Sequence, residues 1–304
     1  MAGNDYNKLL MRRLLPMCAL IAVACVESRR PRGPITVFAA ASLAKPLAVL
    51  ADSFTARTGV VVHTELGGSM ELRRRVTDLG QHPDVLFLVD DRVMAALVPK
   101  YLDWYARFAT NTIVVAYTDR SRLADSIDTD NWWKILTRDG VSIGRADSAI
   151  APAGRQAVAI LNDASGYYRD AGLTKRLMAH AEDRFVRPDA AQLAALLESG
   201  EVDYVLDYQS VAEQYGFRYV QLPADLADAV LYTVGVPRDT TPRDAANEFV
   251  EYALLDAGRE LLRDAHVNLL PVPIAVGNNV PPRIADRVRT VPASSPASAA
   301  PVAP

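Results

Sequence analysis

Between residues 35 and 90 the chain alternates short β-branched apolar runs with stretches that repeat at helical spacing, and no other feature limits the fold as tightly. Residues 35–39 (ITVFA) read as a buried strand. Leu43, Leu47, Leu50 and Phe54 then recur at the intervals of one helix face, with Ser42 where an N-cap belongs and Gly59 as the stop. Residues 60–66 form a second strand. Gly67-Gly68-Ser69 leads into a second amphipathic helix marked by Leu72, Val76 and Leu79, and residues 84–90 (DVLFLVD) form a third strand. Strand, helix, strand, helix, strand with short connections is the pattern of an α/β sheet.

The pattern continues. Strands are predicted over 112–117, 141–144, 202–208 and 230–236. Helices are predicted over 130–136, 151–168, around Leu173 and Leu177, over 192–198, and over 245–262. This is enough for two α/β lobes without a tandem repeat. Half of the residues are apolar and 23% are charged, which excludes a disordered chain. A net charge of −3 argues against nucleic acid as a partner, because phosphate binding needs a basic face.

The N-terminus is a separate matter. Arg12 and Arg13 precede an apolar stretch over 14–24, too short for a bilayer that needs about 20 helical residues, but suited to a signal peptide. Ala22-Val23-Ala24-Cys25 resembles a bacterial lipobox, in which the Cys becomes the acylated first residue; a plain signal peptide cut near Ala24 is the other reading. Translation starts at Met1 or Met11. The resulting organisation is a signal peptide over 1–24, a lipidated tether over 25–33 and a Pro/Ala/Ser-rich disordered tail over 278–304. The 2 cysteines, Cys18 and Cys25, both lie in this leader, so none is left for a disulfide framework, a zinc ribbon or a thiol nucleophile.

Enzyme signatures are missing. His63, His82, His180 and His266 show no metal-ligand spacing, and there is no GxSxG elbow, Walker loop or GxGxxG. Asp90-Asp91, at a strand end, reads as a turn or helix cap, and Arg73-Arg74-Arg75 as a solvated helix face. What remains is a set of helix starts that follow strands: Ser42, Gly67-Gly68-Ser69 and Pro152-Ala153-Gly154. Each offers unpaired N–H groups and about half a positive charge, the ingredients of an anion site.

AAASL (39–43), GGSMELRRRVTDLGQHPDVLFLVD (67–90), FATNTIVVAYTDRS (108–121), NWWKIL (131–136), ALLESGEVDYVLDYQSVAE (195–213) and YTVGVP (232–237) together resemble the tungstate/molybdate-binding proteins of ABC importers, over roughly residues 35–273. The resemblance implies a two-lobed type II periplasmic-binding fold with mixed, mainly parallel sheets and a hinge. It places lobe 1 at 34–111 and 233–277, lobe 2 at 112–232, and the crossings near 109–112 and 232–235. It implies that Ser42 and Ser69 give hydroxyl donors, Ala153 and either Ala190 or Ala191 give backbone donors, and Tyr208 gives a phenol that closes the cleft.

Two positions depart from the tungstate branch. Ala151 stands where that branch has an Asp, and Asp189-Ala190-Ala191-Gln192 holds no Glu. A tetrahedral oxyanion is therefore expected in place of an octahedral metal, unless Asp189 substitutes. The function implied is capture of molybdate or tungstate, without a cofactor and without catalysis, by an exported monomer anchored at the periplasmic or cell-surface membrane and served by an ABC permease and its ATPase. Sulfate or phosphate binding, or a sensory or scaffold lipoprotein of the same fold, are the alternatives.

Overall fold

The structure is a computed structural model that describes residues 33–255 and 257–293. The predicted signal peptide, the lipobox with Cys25 and the tether up to residue 32 lie outside the described residues. The strands are β1 (Ile35–Ala40), β2 (Val62–Gly67), β3 (Val85–Val89), β4 (Trp104–Asn111), β5 (Ile113–Tyr117), β6 (Ile143–Ala146), β7 (Val186–Arg187), β8 (Tyr204–Tyr208), β9 (Arg218–Gln221), β10 (Val230–Gly235), β11 (Asn268–Gly277) and β12 (Arg289–Val291). The helices of the first half are α1 (Ala44–Thr58), α2 (Ser69–Thr77), α3 (Asp91–Ala95), α4 (Trp132–Ile135) and α5 (Pro152–Tyr167). Those of the second half are α6 (Leu173–His180), α7 (Ala190–Ser199), α8 (Gln209–Tyr215), α9 (Arg243–Leu255), α10 (Ala257–Asp264) and α11 (Pro282–Ala285).

The strands form two sheets. A 7-stranded sheet has the order β12-β11-β4-β10-β3-β1-β2, and a 5-stranded sheet the order β7-β6-β8-β5-β9. Each sheet with its helices is termed a lobe below, first and second. Pairing is parallel within the strand–helix–strand units, as in β1 with β2 and β3 and β6 with β7 and β8. The expectation of mainly parallel sheets stops there. β10, which enters from the second lobe, is antiparallel to β3 and β4; β5, which enters from the first, is antiparallel to β8 and β9; and within the first lobe β11 is antiparallel to β4.

The chain passes from one sheet to the other at Thr112, between β4 and β5, and returns between Gln221 and Val230. The second passage thus precedes residues 232–235, which already belong to β10, and residues 230–232 sit in the first lobe's sheet. The two passages are neighbours: Val230 pairs with Asn111, and Thr112 Oγ1 donates to the Ala227 carbonyl at 3.2 Å.

All five residues of β3 are buried, as a strand covered on both faces requires. On one face Phe87 meets Phe108 edge-on at 5.8 Å, and Phe249 of α9 joins Phe54 of α1 at 5.0 Å. On the other face Leu86 and Leu88 pack with Phe38, Leu72, Val76 and Met94. Such edge-to-face pairs add about 0.5–1.5 kcal/mol each beyond the area they bury.

Three further expectations change. The helix predicted over 245–262 is two helices, α9 and α10. Ser42 is not an N-cap: it lies inside a 3₁₀ turn, Ala41–Leu43, and α1 begins after it with Leu43 as cap and no side-chain cap bond. Residues 278–293, assigned in the sequence to a low-complexity tail, instead form α11 and β12, which extends the first sheet by pairing with β11. The rest of that tail lies outside the described residues.

Candidate functional site

The ends of β1, β2 and β3 in the first lobe and of β6, β7 and β8 in the second lead into the turns and helices that face each other. Contacts across this boundary are direct. Met70 and Glu71, in the first turn of α2, donate their N–H groups to the Ile150 carbonyl at 3.1 and 3.4 Å. A Cβ on Gly68 would stand 2.3 Å from that same oxygen, so only glycine permits this approach. Lys45 Nζ donates to the Gln214 carbonyl at 2.9 Å and lies 3.5 Å from the centre of the Tyr215 ring. Gln214 Nε2 donates to the Ser42 carbonyl at 3.3 Å. The cleft is closed.

Within it the two serines share one arrangement. Tyr232 OH donates to Ser42 Oγ at 2.9 Å, and the Val89 amide donates to Ser69 Oγ at 2.9 Å. A hydroxyl oxygen fixed as acceptor keeps its own proton free to donate elsewhere. The donor to Ser42 is itself held: Asn111 Nδ2 donates to Tyr232 OH at 2.8 Å and to Ser210 Oγ at 2.7 Å, while Asn111 Oδ1 accepts from the Thr112 and Ser210 amides. Sequence patterning does not single out Asn111, Tyr232 or Ser210 as site residues; all three are buried, Asn111 beside the first passage, Tyr232 in β10 after the second, and Ser210 in α8.

Tyr208, the last residue of β8, is buried with its ring 6.3 Å from that of Tyr232. Its hydroxyl has no hydrogen-bond partner. An unpaired buried hydroxyl costs about 1–3 kcal/mol. Burial pushes its ionisation well above the ordinary phenol value, so it remains a neutral donor.

The helix starts supply backbone donors. In α5 the cap is Ala151 and Pro152 is the first residue, so Ala153 and Gly154 carry the first amide protons. Gly154 is dictated by packing, because a Cβ there would lie 2.2 Å from the Ala146 carbonyl. In α7 the cap is Asp189, whose two oxygens accept from Gln192 N at 3.0 Å and Gln192 Nε2 at 2.9 Å. Asp189 is thereby engaged as the cap of α7. The Ala190 and Ala191 amides precede that bond. α7 packs against the turn that holds Ser42.

The structure therefore gathers Ser42 and Tyr208 around Tyr232, sets the helix of Ser69 against the segment before Ala153, and lays the helix of Ala190 on the Ser42 turn. It also adds charged groups. Asp90, a helix cap as read from the sequence, is buried; its Oδ1 accepts from Arg92 N at 3.0 Å, and its Oδ2 accepts from Arg155 Nη2 at 2.5 Å. Asp91 pairs with Arg107 at 2.5 and 2.8 Å. Asp207 is buried: Oδ1 accepts from Tyr208 N at 2.7 Å and Oδ2 has no partner. Burial raises its carboxyl well above the usual range, and the nearby Asp189 charge adds to this. Among the described residues no cluster of three or more His, Cys, Asp or Glu could hold a metal ion, and no helix is long and apolar enough to cross a membrane.

Comparison with known proteins bears on this arrangement. The sequence profile of a bacterial extracellular solute-binding protein family matches residues 35–267. An uncharacterized solute-binding protein of Petrotoga mobilis is 40% identical over 196 residues, 64% of this chain, and the match spans only 61% of that relative. A molybdate/tungstate-binding protein of Pyrococcus abyssi is 30% identical, with 83% of this chain and 89% of the relative covered. Among solved structures, the periplasmic molybdate-binding protein of Azotobacter vinelandii superposes with a TM-score of 0.64 at 19% identity, covering 78% of this chain and 99% of that one. The sulfate-binding protein SubI of Mycobacterium tuberculosis superposes with a TM-score of 0.63 at 17% identity, covering 86% of this chain and 94% of that one. At these identities the superpositions show a shared fold.

Proposed function

The chain belongs to the bacterial extracellular solute-binding protein family, and from that premise we propose that it captures molybdate or tungstate for an ABC importer. The observation that carries this reading is a set of neutral donors with free protons in a closed cleft. The hydroxyls of Ser42 and Ser69 are held as acceptors by Tyr232 and Val89, and the buried Tyr208 hydroxyl has no partner.

In this reading the Ser42, Ser69 and Tyr208 hydroxyls and the amides of Ala153 and Ala190 replace the water shell of a dianion as the lobes close. Each hydrogen bond to a charged group contributes roughly 1.5–3 kcal/mol. Asp90 occupies the Arg155 cation, so the anion is held by dipoles and not by a formal charge. Ala151 and Ala190 bring no carboxylate to the metal, which favours a tetrahedral oxyanion over octahedral coordination. The smaller sulfate leaves donors unmet, at about 1–3 kcal/mol each. The reaction is capture and delivery to a permease driven by its ATPase, with no bond made or broken. The protein acts outside the cytoplasm as a monomer, acylated at Cys25.

Thermal unfolding with molybdate, tungstate, sulfate, phosphate and buffer alone tests this. Ligand at 100 times its Kd adds about 2.7 kcal/mol of stability. Shifts for molybdate and tungstate that vanish in S42A/S69A are the expected result. Shifts with sulfate or phosphate alone reassign the ligand, and no shift with any oxyanion overturns the proposal.

A further inference from the structure

Arg155 stands two residues after Ala153 in the first turn of α5, in the second lobe, and its Nη2 donates to Asp90 Oδ2 at 2.5 Å in the first lobe. Asp90 is 6% exposed, whereas 43% of the Arg155 side chain is in solvent. The carboxylate is also bound from its own lobe, by Arg92 Nε at 3.1 Å and Nη2 at 3.2 Å. The Asp90 backbone has φ 72° and ψ 107°, a region that costs a residue with a Cβ about 1–3 kcal/mol and that persists only where surroundings hold it. Here the Leu231 carbonyl, which accepts from Asp90 N at 3.0 Å, and the Arg92 amide do so.

Asp90 is therefore fixed within the first lobe, and Arg155 is the only partner named here that must travel to reach it. When the lobes part, Arg92 still neutralises the carboxylate and Arg155 returns to water, so release leaves no buried charge unpaired. When they close, the Asp90 carboxylate is bound by both guanidinium groups, one from each lobe. The mobile half is solvent-facing, so the pair on its own is weak and screened by salt.

We propose that the Asp90–Arg155 pair is a closure latch, and that Arg155 is a positioning residue that holds the start of α5, with the Ala153 amide, against the first lobe. The proposal rests on the capture reading only for its ligand measurement.

The test uses the full chain and two readouts: small-angle scattering at low and high salt, with and without sodium tungstate, and stopped-flow dissociation of tungstate followed by intrinsic fluorescence. R155M is expected to enlarge the radius of gyration or to speed dissociation about tenfold, with the association rate within about twofold of wild type. R155K is expected to recover part of the effect, and high salt to shift wild type toward R155M. A thermal midpoint unchanged without ligand separates this from misfolding. R155M that scatters like wild type in every condition and releases tungstate within about twofold of its rate overturns the latch. If wild type binds no oxyanion, the ligand-free radii decide alone: an enlarged R155M keeps the latch while the proposed function falls, and equal radii overturn both.

Discussion

The hydroxyl of Tyr232 donates to Ser42 Oγ at 2.9 Å across 190 residues of sequence, and Asn111 Nδ2 donates in turn to Tyr232. The chain of donors has one direction, so the proton left over at its end belongs to Ser42. Tyr232 and Asn111 thus turn a serine in a 3₁₀ turn into a committed donor.

Tyr232→Phe should cut this chain at its centre. Asn111 loses one acceptor and Ser42 loses the bond that fixes its oxygen, both in buried positions. Ligand-free stability is expected to fall by about 1–3 kcal/mol and oxyanion affinity to fall with it. Urea unfolding without ligand, followed by calorimetric titration, measures both.

Tyr208→Phe should behave differently. Its hydroxyl has no partner in the protein, so ligand-free stability should hold or rise slightly. Affinity should drop roughly ten- to a hundredfold, the worth of one hydrogen bond to an anion. An unchanged Kd by titration calorimetry would remove Tyr208 from the site.

Two glycine substitutions should separate folding from closure. Gly154→Ala places a Cβ against the Ala146 carbonyl within one lobe and should lower ligand-free stability by about 1–3 kcal/mol. Gly68→Ala places its Cβ against the Ile150 carbonyl of the other lobe. It should spare ligand-free stability yet weaken binding by about tenfold or more, because fewer molecules reach the closed state. Thermal midpoints and dissociation constants of the two variants should therefore change in opposite columns.

The Asp207 carboxyl predicts a pH dependence. Its folded value is raised above 3.8 by burial, so the folded state holds this proton more tightly than the unfolded state. Its stabilising contribution is complete below 3.8 and is lost as pH rises through the folded value, at up to about 1.4 kcal/mol per pH unit. Asp207→Asn keeps an acceptor for Tyr208 N and has no proton to lose. Denaturant unfolding in steps from about pH 4 to about pH 8 should show the variant gaining on wild type as pH rises, and parallel curves would refute the shift.

Periodicity made the strand–helix–strand units legible, because one buried face per helix and fully apolar strands leave a plain record in sequence. It failed where that record is broken. β4 carries Arg107 among its apolar residues, and β11 contains Pro271 and Pro273, which normally exclude a strand interior; the sheet accommodates them with a shift in register between Leu269 and Ile274. The helix starts at Ser69 and Ala153 were visible as glycine, serine and proline after strands. The groups that orient them were not. Tyr232 and Asn111 are 121 residues apart and read as ordinary core, and the union of Asp90 with Arg155 spans 65 residues.

The passages between the lobes lie beside Asn111 and Val230, and the hydroxyl chain to Ser42 begins there. On opening about these passages, Ser42 keeps its place relative to Tyr232 while Ala153 and Arg155 swing away with α5. An ion captured as proposed would meet the hydroxyls of the first lobe, Ser42 and Ser69, as one standing half-shell and acquire the second lobe's donors afterwards, so the order of assembly is written into which sheet carries each donor.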